Sequence, residues 1–200
     1  MRSFAALLLV LGVILVSTRP SIADDKVKPP DYLPLKEGMK WHYQVEGNGV
    51  KVPLITQVAK IESINGQPLA RVETVAKGMV VASEHLSNTP QGIFRHRFNG
   101  VDVSPPVCVL KYPVKNGASW ESENKLGEQK AKMACRVGSD EVEVPAGKYK
   151  AVTVQVDAEV EGMKLTTTYW FAAGVGIVKQ TVEFGGRKTT MALEKFERGG

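Results

Sequence analysis

The sequence predicts an all-β fold: an antiparallel, strongly curved sheet, half-barrel or barrel-like, built from two related halves. Three observations predict it. Apolar, β-branched and aromatic residues alternate with polar ones at period two, short turn signals separate the alternating runs, and no mature segment keeps a 3.6-residue period. A sheet with one apolar face must cover it, by closing as a barrel, folding as a β-sandwich, or curling into an open half-barrel with a greasy concave surface. The sandwich is the alternative architecture.

The runs justify this in chain order. "WHYQV" puts Trp41, Tyr43 and Val45 on one face, with His42 and Gln44 on the other. "VTVQVDAEV" puts Val152, Val154, Val156, Ala158 and Val160 opposite Gln155, Asp157 and Glu159. "MKLTTTYWF" continues with Met163, Leu165, Thr167, Tyr169 and Phe171 on one side and Trp170 on the other. Asn65-Gly66, Glu161-Gly162 and Gly185-Gly186 each divide two such runs, as hairpin turns require. Aromatics on both faces of the Tyr169–Phe171 ribbon predict either a cover over Trp170 or a bulge in the strand. Lys179 is expected to share the face of Ile177, which argues against deep core there.

The first twenty-three residues read as a signal peptide. Arg2 precedes an apolar run from Phe4 to Val16, and Ser21-Ile22-Ala23 places small residues before the cut. The apolar run falls short of the roughly twenty residues needed to span a bilayer. Residues 24–30 read as a flexible lead-in and 31–196 as one β domain, with no transmembrane segment after cleavage. Periplasmic or secreted localisation follows. Removing Arg2 and Arg19 lowers the net charge from +5 to +3. Without a basic stripe interleaved with aromatics, nucleic acid is not an expected partner.

Two passages repeat in order. "LPLKEGMKW" (33–41) matches "YPVKNGASW" (112–120), and "QGIFRH" (91–96) matches "VGIVKQ" (175–180). The expected halves are 31–108 and 109–196. Cys108 and Cys135 are the candidate disulfide; the alternative is two small buried hydrophobes. They are not spaced as a redox CxxC pair.

Enzyme constellations are not found. No GxSxG elbow or phosphate loop occurs, and "GVG" (174–176) lacks the helix that a dinucleotide fingerprint needs. His42, His85 and His96 lack the spacing of a zinc helix; a metal set of His85, Glu84 and His96 is conceivable, but exposed strand histidines are commoner. A hydrolase using Asp140, Glu141 and Glu143 is the enzymatic alternative. No catalytic residue, cofactor or metal is expected. Trp41 and Trp120 hold equivalent repeat positions, which favours a structural role over a carbohydrate platform.

The motifs "PLKEGMKW" (34–41), "VPAGKY" (144–149) and "YWFAAGVGIVK" (169–179) resemble an exported bacterial family of unknown function, the 3108-like domain family. The resemblance spans about 31–196 and departs at Ala173, where proline is expected. It implies a remoter likeness to the lipoprotein-carrier fold, a curved antiparallel sheet around an apolar cavity, and it carries over no catalytic residues. The expected function is a non-catalytic binding protein of the bacterial envelope that holds an apolar small molecule or lipid on its concave face. The candidate lining is Val152, Val154, Val156, Leu165, Tyr169 and Phe171. The alternative is an interaction domain with a fully packed core that binds another envelope protein.

Overall fold

The computed structural model describes residues 30–199. The predicted signal peptide and the lead-in before Pro30 lie outside the described residues. The described chain forms twelve strands: β1 (Lys40–Gly47), β2 (Val50–Ile64), β3 (Gln67–Ala76), β4 (Met79–Thr89), β5 (Gly92–Phe98) and β6 (Val101–Lys111), then β7 (Ser119–Leu126), β8 (Gln129–Val144), β9 (Gly147–Val160), β10 (Met163–Ala172), β11 (Gly176–Phe184) and β12 (Arg187–Glu197). Each strand pairs antiparallel with the next, and β1 pairs with β12 to close the barrel. The predicted all-β, barrel-like sheet is therefore a closed up-and-down barrel, not a sandwich or an open half-barrel.

Tight turns set the register. At Asn65-Gly66 and Glu161-Gly162 both central residues take positive φ, the hairpin geometry that matches strand twist. The meander places residues 48–49, 77–78, 99–100, 127–128, 161–162 and 185–186 at one rim, here the tight-turn end. The opposite rim carries the remaining connections and is plugged. The segment before β1 crosses it: the Gly174 amide donates to the Asp31 carbonyl at 2.7 Å, and Asn88 Nδ2 donates to the Leu33 carbonyl at 2.9 Å. The β8–β9 tip closes in as well, its Ala146 amide donating to the Leu193 carbonyl at 2.9 Å. Leu33, Met39, Val142 and Val144 are buried through these two contributions.

The alternation turns inward as its period requires. Trp41 and Tyr43 face the core, while His42 meets Glu197 on the outside at 3.0 Å. Val154 sits opposite Val137 and Tyr169, and Val156 opposite Cys135 and Thr167. Outward positions of the same strands carry Lys132 with Glu123 and Lys148 with Glu143. An apolar lumen and a charged exterior reverse the pattern of a membrane-spanning barrel.

The matched nonapeptides run into β1 and β7, and the matched glycines Gly92 and Gly176 open β5 and β11. The expected division at 108/109 falls inside β6, which continues to Lys111. The β6–β7 junction is the weakest seam. Only Val103–Leu126 and Ser104–Lys125 pair across it, whereas β1 and β12 share eight pairs. Pro105 and Pro106, which have no backbone N–H, follow directly in β6.

One expectation is corrected. Phe171 pairs with Ile177 and Trp170 with Lys179, so the register skips Val178. That bulge separates the two residues: Ile177 borders the lumen, and Lys179 lies outside over Trp170, its Nζ 4.9 Å from the ring centroid. The expected shared face of Ile177 and Lys179 assumed a regular strand.

Candidate functional site

The lumen holds a charged pair, Arg95 and Glu84. In "FRHRF" (94–98) a regular strand would put Arg95 and Phe98 on opposite sides. The ladder slips between Arg95 and Arg97, pairing Arg95 with Leu86 and Phe98 with Glu84. The extra residue is His96. Arg95 faces the lumen with Ile93, two residues before it in the regular part of the ladder, and the bulge brings Phe98 to the same side; Arg95 Nε and Nη2 donate to the Glu84 carboxylate at 3.0 and 3.2 Å. Burial opposes the guanidinium charge, but Glu84 and the Tyr169 hydroxyl outweigh it and hold the Arg95 pKa above its ordinary value. The carboxylate accepts two parallel bonds, so the pair is fixed in orientation as well as charge.

Two voids meet at Arg95. The larger, about 140 Å³, is bordered by Trp41, Tyr43, Thr74, Glu84, Gln180 and Met191 among others. The smaller, about 100 Å³, is bordered by Val107, Met133, Val156, Leu165 and Thr167, with both Cys108 and Cys135. Arg95 and Tyr169 border both. Tyr169 and Phe171 rings lie 5.8 Å apart, tilted at 32°.

The expected lining residues separate into three groups. Val156, Leu165 and Tyr169 border the voids. Val154 and Phe171 have no exposed surface and belong to the packed core. Val152 is half-buried and borders a surface depression with Tyr32, Asp140 and Ala173. Arg95 was not singled out from the sequence, and Glu84 only as a member of a conceivable metal set; the signal available was the alternation of Ile93 with Arg95, which puts both on one face.

The cysteines are free thiols sharing one void. Burial raises both pKa values, that of Cys135 to about 12, so both sulfurs stay protonated and poorly nucleophilic. Glu84 points into the lumen, whereas His85, the next residue along the strand, meets Glu62 at 2.5 Å on the other face. His96 Nε2 lies 2.9 Å from Ser87 Oγ. Among the described residues no group of three or more His, Cys, Asp or Glu side chains is arranged to hold a metal ion. Asp140 accepts from Trp170 Nε1 at 2.9 Å, and Glu141 and Glu143 face Lys150 and Lys148. These acids serve surface contacts.

Solved structures share the fold. A predicted lipoprotein from Parabacteroides distasonis ATCC 8503 superposes with a TM-score of 0.52 at 13% identity, covering 85% of this chain and all of its own. A predicted exported protein with a YmcC-like fold from Bacteroides fragilis NCTC 9343 gives 0.50 at 14% identity, covering 84% of this chain and all of its own. At such identities the likeness is one of fold. No protein-family model and no curated protein matches the sequence.

Proposed function

We propose that this is an exported, non-catalytic binding protein of the bacterial envelope, whose lumen takes a small molecule with an apolar body and one acceptor group. The observation that carries this reading is the sharing of Arg95 and Tyr169 by two adjoining voids. Apolar walls with a few convergent polar groups are the usual make-up of a ligand site. Val156, Leu165 and Met133 supply the walls, and Arg95, oriented by Glu84, supplies donors. The leader sequence supports export, and both fold relatives are described as exported or lipoprotein.

The voids of about 140 and 100 Å³ are small beside the roughly 300–1,000 Å³ of drug-sized sites. A long acyl chain therefore requires the two voids to join alongside Tyr169, whose ring then packs against the chain. The thinly paired β6–β7 seam lies next to Val107 and Cys108 and is the entry this reading assigns.

Native mass spectrometry of gently purified protein and displacement of a fluorescent fatty-acid probe test this reading. The expected result is a bound small molecule and saturable displacement, with probe affinity about tenfold lower in Tyr169→Ala, a loss of about 1.4 kcal/mol. Tyr169 is the informative site because Phe171→Ala costs about 3–5 kcal/mol of stability through its cavity alone. Neither ligand nor displacement would end the reading in favour of an interaction domain with a packed core, which the full burial of Val154 and Phe171 favours.

A further inference from the structure

Among the described residues eight large apolar side chains are exposed, and seven of them lie at the tight-turn end. They are Val50, Met79, Val80, Val81, Val101, Met163 and Phe184, between 42 and 66% exposed. Scattered apolar residues on a surface need no explanation, but a shared rim does. Strand ends beside two-residue turns have no core to fill, and polar residues would serve the fold equally well there.

The rim is also polarised. In ring order the β11–β12, β1–β2, β3–β4 and β5–β6 tips are neighbours, and they carry every one of these residues except Met163. Within this arc the acids are neutralised: Glu46 pairs with Lys51 at 3.5 Å, Asp102 with Arg97, and Glu183 with Lys188 at 2.7 Å. Lys77, beside Met79, and Arg187, beside Phe184, are exposed and take part in none of these pairs. The remaining tips, β7–β8 and β9–β10, hold Glu128, Glu159 and Glu161 together with Lys125, Lys130 and Lys164 and so carry no cationic excess.

We infer that this arc of the barrel rim docks on an anionic lipid surface. Apolar tips entering the headgroup region with cations beside them are the two components of interfacial binding. Ladder pairing continues to the last residues, Gly47 with Val50 and Ala76 with Met79, so the tips enter without exposing unpaired strand edges. The cationic excess disfavours a second copy, because an isologous contact would set Lys77 and Arg187 against their own images. This surface is distinct from the lumen, and its test does not depend on a lumen ligand.

The test is co-sedimentation of the exported protein with phosphatidylglycerol–phosphatidylethanolamine vesicles and with phosphatidylcholine vesicles. The expected result is binding to the anionic vesicles, weakened at least tenfold in a Met79→Ser, Val80→Ser, Phe184→Ser variant. Lys77→Glu with Arg187→Glu should remove the preference for anionic vesicles while retaining the wild-type near-UV spectrum. Absent vesicle binding, or binding unchanged in both variants, overturns the inference. So does sedimentation velocity showing a dimer that the serine variant abolishes when vesicles do not bind.

Discussion

Trp41 and Tyr43 take the place of ladder bonds that β11 and β12 do not make. Pairing between those strands begins only at Lys179 and Ala192, so the carbonyls of Val175, in the turn before β11, and of Ile177 have no partner in β12. Trp41 Nε1 donates to the first at 2.6 Å and the Tyr43 hydroxyl to the second at 2.7 Å. The aromatics that alternation assigns to the core are therefore also its hydrogen-bond donors. Gly176 permits this: at φ +109° a Cβ there would meet the Trp41 indole nitrogen at 3.1 Å. At the same scale, acid should destabilise the fold through two identifiable groups. Burial, then the neighbouring His85 charge, lowers the His96 pKa from 6.5, so the fold favours neutral imidazole and loses stability as pH falls through the unfolded value. Hydrogen bonds from Lys60 and His85 lower the Glu62 pKa from 4.5 to about 2, so its contribution persists above 4.5 and disappears as pH falls towards 2. Thermal melts across pH should show the gap between wild type and His96→Gln changing below 6.5, and that between wild type and Glu62→Gln below 4.5. Parallel melting curves for either variant would remove that group from the explanation.

At the scale of elements, the β9–β10 hairpin was the most legible part of the sequence and the β10–β11 hairpin the least. Nine residues of strict alternation put Val154 and Val156 inward, and the structure pairs them across with Tyr169 and Thr167. A period-two pattern contains no signal for an added residue, so Val178 and His96 were invisible as bulges. The first hides the cover over Trp170, and the second hides the turn of Phe98 towards Arg95. Of the two expectations for Trp170, the cover is found, because Lys179 and Asp140 flank the indole; its own strand does not bulge, the added residue Val178 lying in the neighbouring β11. A double-mutant cycle on Trp170→Leu and Lys179→Met should give a coupling of about 0.5–1 kcal/mol, the range for an exposed cation–π contact. Coupling near zero would leave Lys179 above the ring by strand geometry alone.

For the whole molecule, closure was the feature that local sequence did not carry. One-sided alternation demanded a cover but was satisfied equally by a barrel, a sandwich or a half-barrel, and the deciding contact joins β1 to β12 across almost the entire described chain. The price of that closure is a ring of unequal strength. β8 and β9 share fourteen register pairs, β6 and β7 only two, with prolines where further rungs would form. Regions with few protected backbone bonds open at lower free energy than the global transition. Native-state hydrogen exchange should therefore find the amides of 107–111 and 119–123 nearest their seam exchanging by local opening, while those of β8 and β9 exchange only with global unfolding. Burial of Leu110 and Val107 opposes this opening, so it should be visible in exchange yet leave the barrel intact. Two-residue pairing at the seam is also the least costly place to part the wall beside the smaller void. If a fatty-acid probe enters there, its binding should slow exchange at 107–111 selectively. Uniform protection around the ring, free and bound, would show instead that side-chain packing of β6 against β7 substitutes fully for the missing ladder.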